Sequence, residues 1–196
     1  MQTHPVSPLI HTILAVAFVC GLLQLGMNSF IYQRELMWGE PWRWWTAHWV
    51  HVGWRHYALN MLAFLCLPFI FPHLSRATLL LSLLVLPLLL SAGLYWLLPN
   101  VQAYAGLSGI LHGMFVLVAF ESLKIKQERK FAFLVLGCIA IKISLEKWMG
   151  YSETAQLIQA PVLIESHQIG VVTGIIFAFC KAMIYYLKYK SNLSKL

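Results

Sequence analysis

Few side chains in this sequence can do nucleophilic or acid–base chemistry, and they cluster at three points. Ser108 lies in Tyr104-Ala-Gly-Leu-Ser-Gly-Ile-Leu-His-Gly113 and His167 in Ser166-His-Gln-Ile-Gly-Val-Val-Thr-Gly174, while His51, His56 and Asn60 precede or open an apolar run. A serine hydroxyl within reach of a neutral imidazole is an activated nucleophile near pH 7. His56 and Asn60, four residues apart, share a helix face, and both can donate a hydrogen bond to a developing oxyanion. All 7 acidic residues are glutamates. A Ser-His-Asp triad, a Walker-B magnesium site and EF-hand loops are therefore excluded.

No carboxylate is expected beside His167. Glu165 is two positions away and points to another face, and the other glutamates lie elsewhere along the chain, so the spacing predicts a Ser-His dyad. His48, His51 and His56 invite a metal reading, but intervals of three and five do not form His-Glu-x-x-His and no Asp or Cys stands nearby. No metal and no cofactor is expected. His4, His11 and His73 read as surface or interface groups.

The elements that must position these residues are membrane helices. Of 196 residues, 60% are hydrophobic and 11% charged, with a mean hydropathy of +0.71, where a soluble domain carries about a quarter charged residues. A soluble enzyme is excluded. Six apolar segments, at about 9–31, 56–73, 77–98, 106–123, 131–148 and 167–187, mostly reach the length needed to cross roughly 30 Å of hydrocarbon. The first is too long for a signal-peptide core and lacks a basic leader, so it reads as a retained span. One domain over 1–196 is expected. Cys20, Cys66, Cys138 and Cys180 each sit inside an apolar run, which predicts four buried free thiols.

The net charge of +7 does not mark nucleic-acid binding, because the cations lie at the ends of apolar runs. Nine Lys and Arg (Arg76, Lys124, Lys126, Arg129, Lys130, Lys181, Lys188, Lys190, Lys195) fall on one side of the spans and five (Arg34, Arg43, Arg55, Lys142, Lys147) on the other. This places both termini in the cytoplasm and the segments 32–55, 99–105 and 149–166 outside. Trp38, Trp42, Trp44, Trp45, Trp49 and Trp54 fill the first outer segment, which predicts an interfacial loop with one or two short helices.

The starts of spans two, four and six then converge on the outer side. Span four, about 18 residues or roughly 27 Å, is short, so Ser108 is expected below the surface in the first helical turn, where free N–H groups make an oxyanion hole. Gly109 and Gly113 on this span, and Gly170 and Gly174 on the sixth, are each one GxxxG step apart. Two such faces let helix backbones approach closely and bring Ser108 towards His167.

Trp42-Arg43, His51-x4-His56-x3-Asn60, Gly106-Leu-Ser108-Gly109 and His167-x2-Gly170-x3-Gly174 together resemble the rhomboid intramembrane serine proteases, over all six spans in order. The resemblance implies an all-α, six-transmembrane-helix bundle with an interfacial first loop. It implies Ser108 as nucleophile, His167 as general base, and His56, Asn60 and the Ser108 N–H as oxyanion hole. His51, Trp42 and Arg43 match positions that brace the first loop. Where typical rhomboids carry a tyrosine that stacks on the catalytic histidine, this chain has His112, on the Ser108 face at i+4.

The Gly-x-Ser-Gly-x-x-His-Gly form with no extra domains resembles the rhombosortase branch. That branch is associated with C-terminal sorting tails carrying a Gly-Gly motif, a hydrophobic helix and a basic end. The partners implied are membrane-anchored substrates with such a tail and the bilayer itself, in a bacterial inner membrane, with the acyl-enzyme resolved by water or by an acceptor. A Gly-Gly pair suits cleavage because it weakens a helix. The fifth span, a gate in rhomboids, carries Lys142 and Glu146 one turn apart, readable as a surface ion pair or as a latch for a 149–166 cap. The competing readings are a six-span haem or metal carrier and an inactive rhomboid-like binding protein.

Overall fold

The computed structural model describes residues 6–193, so His4 and Lys195 lie outside the described residues. Among these residues there are eight α-helices: α1 (Val6–Gln24), α2 (Arg43–Thr46), α3 (Trp54–Ile70), α4 (Arg76–Leu97), α5 (Ser108–Ser122), α6 (Arg129–Met149), α7 (Glu153–Ile158) and α8 (Ile164–Leu193). The six long ones coincide with the six apolar segments. By length and hydropathy alone, α4 and α8 suffice to cross a membrane, and α1 and α5 contain shorter apolar helices. A two-stranded antiparallel ladder, β1 (Tyr32–Gln33) and β2 (Ala103–Tyr104), pairs Tyr32 with Tyr104 and Gln33 with Ala103. It ties together two of the segments expected outside.

Helix α5 occupies the centre, packed on α3, α4, α6 and α8, with ten of its 15 residues buried. In lipid the apolar side chains gain little from mutual burial, so close packing and polar contacts must decide which faces meet. Glycine supplies the closest approach. A Cβ on Gly170 would lie 2.0 Å from the Gly109 carbonyl oxygen, and one on Gly174 would lie 2.3 Å from that of Gly113. The two GxxxG faces thus abut backbone to backbone, with no side chain between them.

Helix α1 ends at Gln24, short of the expected 31. Gly26, Asn28 and Ser29 favour a turn, and a 3-10 turn covers Met27–Ser29. The carbonyls freed there are taken by the loop that follows. Arg43, 4% exposed, donates from Nη1 to Ile31 O at 2.6 Å and Asn28 O at 3.2 Å, and from Nε to Glu40 Oε2 at 2.7 Å. Trp42 Nε1 donates to Ser29 O at 3.1 Å. Arg43→Ala leaves these acceptors without their charged donor, at roughly 1.5–3 kcal/mol per bond to a charged group. It is expected to lower the melting temperature of the detergent-solubilised protein by several degrees, and Arg43→Lys should recover only part.

The tryptophan loop contains one short helix, α2. Trp38, Trp42 and Trp54 are exposed as an interfacial belt requires, but Trp44 is 8% exposed and packs on Trp38, Tyr95 and Trp96 at 5.5–5.8 Å. Pro87 breaks the hydrogen-bond ladder of α4, and Trp45 Nε1 donates to Leu84 O in the same turn at 2.9 Å. The expectation of four buried thiols is corrected. Only Cys20 is buried, Cys66 is half-buried, and Cys138 and Cys180 sit on outward helix faces, because an apolar run in a membrane helix has a lipid side as well as a protein side. His73 is half-buried and paired with Glu128 at 2.8 Å.

Candidate active site

Ser108 is the first residue of α5, after Gly106 with φ +146°. A Cβ on Gly106 would meet His56 Cε1 at 2.7 Å. Glycine is required there for both the conformation and the space. The turn sets the serine in the first helical turn, beside backbone N–H groups without intrahelical partners.

His167, 2% exposed, opens α8 within its first turn. Its Nε2 lies 3.0 Å from Ser108 Oγ. On its other side, Nδ1 lies 2.8 Å from Glu146 Oε2. An ionised carboxylate only accepts, so Nδ1 carries the proton and Nε2 of the neutral ring is bare towards the serine. This is the tautomer a general base needs.

The carboxylate corrects the expectation that none stands beside the histidine. Glu146 is 21 residues before His167, near the C-terminal end of α6, and the fold brings that end against the start of α8. Its Oε1 accepts from Ser152 Oγ at 2.7 Å and from Lys142 Nζ. The side chain is 6% exposed, whereas that of Lys142 is 42% exposed, so the pair is not a free surface ion pair. Through Ser152 it also holds the start of the 149–166 segment, which forms α7.

His112 stacks on His167 with ring centroids 4.3 Å apart and planes 20° from parallel. Its Nδ1 donates to Ser108 O at 2.7 Å, which fixes its tautomer. The ring occupies the place expected of an aromatic support. His56 and Asn60 are 7% and 5% exposed. Asn60 Nδ2 donates to His56 O at 2.9 Å within α3, so its amide is oriented by its own helix.

His51 sits behind this face, fully buried and edge-on to His56 at 5.1 Å and Tyr57 at 5.6 Å. Burial, with a smaller push from the neighbouring His56, holds His51 down to about 3, so it is a neutral spacer at pH 7. Its backbone is clamped by Gln24, which donates to His51 O at 2.7 Å and accepts from His51 N at 2.8 Å. Sequence reasoning passed over Gln24. A polar residue closing an apolar helix was the available signal. His48 turns away to Ser91 Oγ at 2.8 Å.

His56, Asn60, Ser108, His112, Lys142 and His167 line one cavity of about 340 Å³, whose remaining wall is apolar but for Thr154 and comes from α3, α5, α6, α7 and Val162. A second cavity of about 270 Å³ reaches Ser108 and His56 from the side of Ala103–Ala105 and Pro161–Leu163. The serine is thus approachable from an apolar chamber and from a loop-lined one. A hydroxyl, an imidazole in the correct tautomer, N–H donors at a helix start and a buried carboxylate make up the equipment of acyl transfer through a serine ester.

The family model described as Rhomboid domain matches residues 38–184 of the chain. No curated protein matches it.

Proposed function

Because the chain belongs to the rhomboid family, a membrane-embedded family of serine proteases, we propose that it is an active intramembrane endopeptidase in which Ser108 and His167 are the catalytic residues. The observation that carries this reading is the 3.0 Å separation of Ser108 Oγ and His167 Nε2 at the edge of an apolar cavity.

Ser108 Oγ attacks the scissile carbonyl as His167 Nε2 takes its proton. The oxyanion is met by the Ser108 N–H, His56 and Asn60. His167 then returns the proton to the leaving amine, and an ester to Ser108 remains. Water or an amine-bearing acceptor, entering through the loop-lined cavity, attacks that ester as His167 Nε2 takes its proton, which passes to Ser108 Oγ as the ester C–O bond breaks. His51, Trp42 and Arg43 hold the first loop behind this face, and Gly106, Gly109, Gly170 and Gly174 set the backbone distances within it.

The Gly-x-Ser-Gly-x-x-His-Gly form and the apolar chamber support a reading of the substrate class. It is the rhombosortase type, a C-terminal tail of Gly-Gly, hydrophobic helix and basic end. The apolar helix enters from the bilayer between α3 and α6, the Gly-Gly pair unwinds to present its carbonyl, and the basic end stays cytoplasmic. In this reading the chain is one domain of six spans in a bacterial inner membrane, with both termini cytoplasmic. A reporter ending in such a tail, co-expressed with the protein, is expected to lose its tail. Replacing the Gly-Gly pair by Val-Val should cut the product at least about tenfold, since β-branched residues keep the amide shielded. Equal cleavage of both reporters, read by immunoblot, would overturn the substrate assignment.

A further inference from the structure

Glu146 is the one acidic side chain touching the Ser108–His167 pair among the described residues, and nothing in the dyad chemistry uses it. It comes from α6, the most loosely packed of the long helices. Only Ala132 and Glu146 of its 21 residues are buried. A carboxylate in such a place is costly unless it is fully bonded. Here both oxygens are bonded: His167 on Oε2, Ser152 and Lys142 on Oε1. A packing residue would not need three polar partners, and a mere ion pair with Lys142 would not need to face the imidazole.

We propose that Glu146 is a positioning residue that turns the Ser108–His167 pair into a Ser-His-Glu relay. By accepting from Nδ1 it holds His167 with Nε2 bare towards Ser108, and it stabilises the imidazolium that forms when Nε2 takes the serine proton. The proton stays on the histidine. The carboxylate supplies charge and orientation and exchanges nothing. Lys142 and Ser152 hold the carboxylate itself. Because Glu146 rides on α6, which also walls the apolar cavity through Ile139 and Lys142, a shift of α6 that widens the cavity also draws the carboxylate off the histidine. This inference rests on the catalytic reading of Ser108 and His167.

The test uses the full-length protein in detergent, as wild type, Glu146→Gln, Glu146→Asp and Ser108→Ala. Two readouts are the second-order labelling rate with a fluorophosphonate, which needs no known substrate, and the histidine tautomer by nitrogen-15 NMR of the imidazole. Gln conserves shape while removing the charge and turning one acceptor oxygen into an N–H donor. Labelling of Ser108 is expected to slow by about 10²–10⁴-fold in Glu146→Gln, with partial recovery in Glu146→Asp. The Nδ1–H signal of His167 should weaken in favour of Nε2–H.

Labelling of Glu146→Gln within threefold of wild type, or an unchanged His167 tautomer in it, would overturn the relay. If wild type labels no faster than Ser108→Ala, the protease reading fails on its own, and the tautomer spectrum still decides whether Glu146 sets the histidine. Should Glu146→Gln not fold, Glu146→Asp carries the same comparison. A fully active Asp variant with an altered tautomer would count against the proposal.

Discussion

Ser108→Ala is expected to reduce tail cleavage to the reporter background, a fall of at least about 10³-fold, with protein level and melting temperature unchanged. Ser108 is half-buried at a helix start and its Oγ lies 3.0 Å from His167 Nε2, so removing the hydroxyl costs chemistry and little packing. His167→Ala should fall as far. The double variant should be no worse than either alone, because nucleophile and base act as one unit. Multiplying effects in the double variant would contradict a shared step. Cleavage by Ser108→Ala at a tenth of the wild-type rate or more would remove the serine mechanism. His56→Ala and Asn60→Ala leave the nucleophile in place, and each should lose about 10²–10³-fold if it meets the oxyanion.

Gly170→Ala is the largest effect expected on stability from a single methyl group. The new carbon would sit 2.0 Å from the Gly109 oxygen and 2.8 Å from its carbonyl carbon, both backbone atoms that no rotamer change can move. The helices must separate along the seam, at or above the upper end of the roughly 1–3 kcal/mol that overpacking usually costs. Separation also carries His167 away from Ser108, so activity should fall with stability. Gly137 on α6 is the control, since a Cβ there meets nothing within 4 Å and alanine suits a helix interior better than glycine. Thermal unfolding in detergent should show Gly137→Ala at or above wild type and Gly170→Ala well below it. Equal melting of the two would mean that α5 and α8 do not depend on the seam.

Much of this was legible in the residues. Six apolar runs correspond to six long helices, since a helix satisfies its backbone groups within one segment. The two glycine pairs implied the α5–α8 contact, since that spacing has few other uses in an apolar helix. The place of Glu146 beside His167 is not legible in the sequence, where Lys142 and Glu146 read as a pair one turn apart. A partner four residues away explains a membrane carboxylate locally and hides a partner 21 residues away. The better signal is depth: Glu146 at the C-terminal end of one apolar run and His167 at the start of the next fall at the same level of an antiparallel pair. The early end of α1 and the β1–β2 pairing depend on Arg43 and on loop contacts, which leave no periodic trace. The thiol error came from treating apolar surroundings as buried, which fails where the solvent is hydrocarbon.

The glycine seam has a mechanical meaning. Two helices touching backbone to backbone cannot slide or splay without breaking contact, so Ser108 and His167 ride on one stiff body. Helix α6, buried only at Ala132 and Glu146, is tied to that body near its two ends. A load on α6 therefore meets less packing than one on the α5–α8 seam. A displacement of α6 would reshape the chamber it walls, while the α5–α8 seam holds the reacting atoms at their spacing.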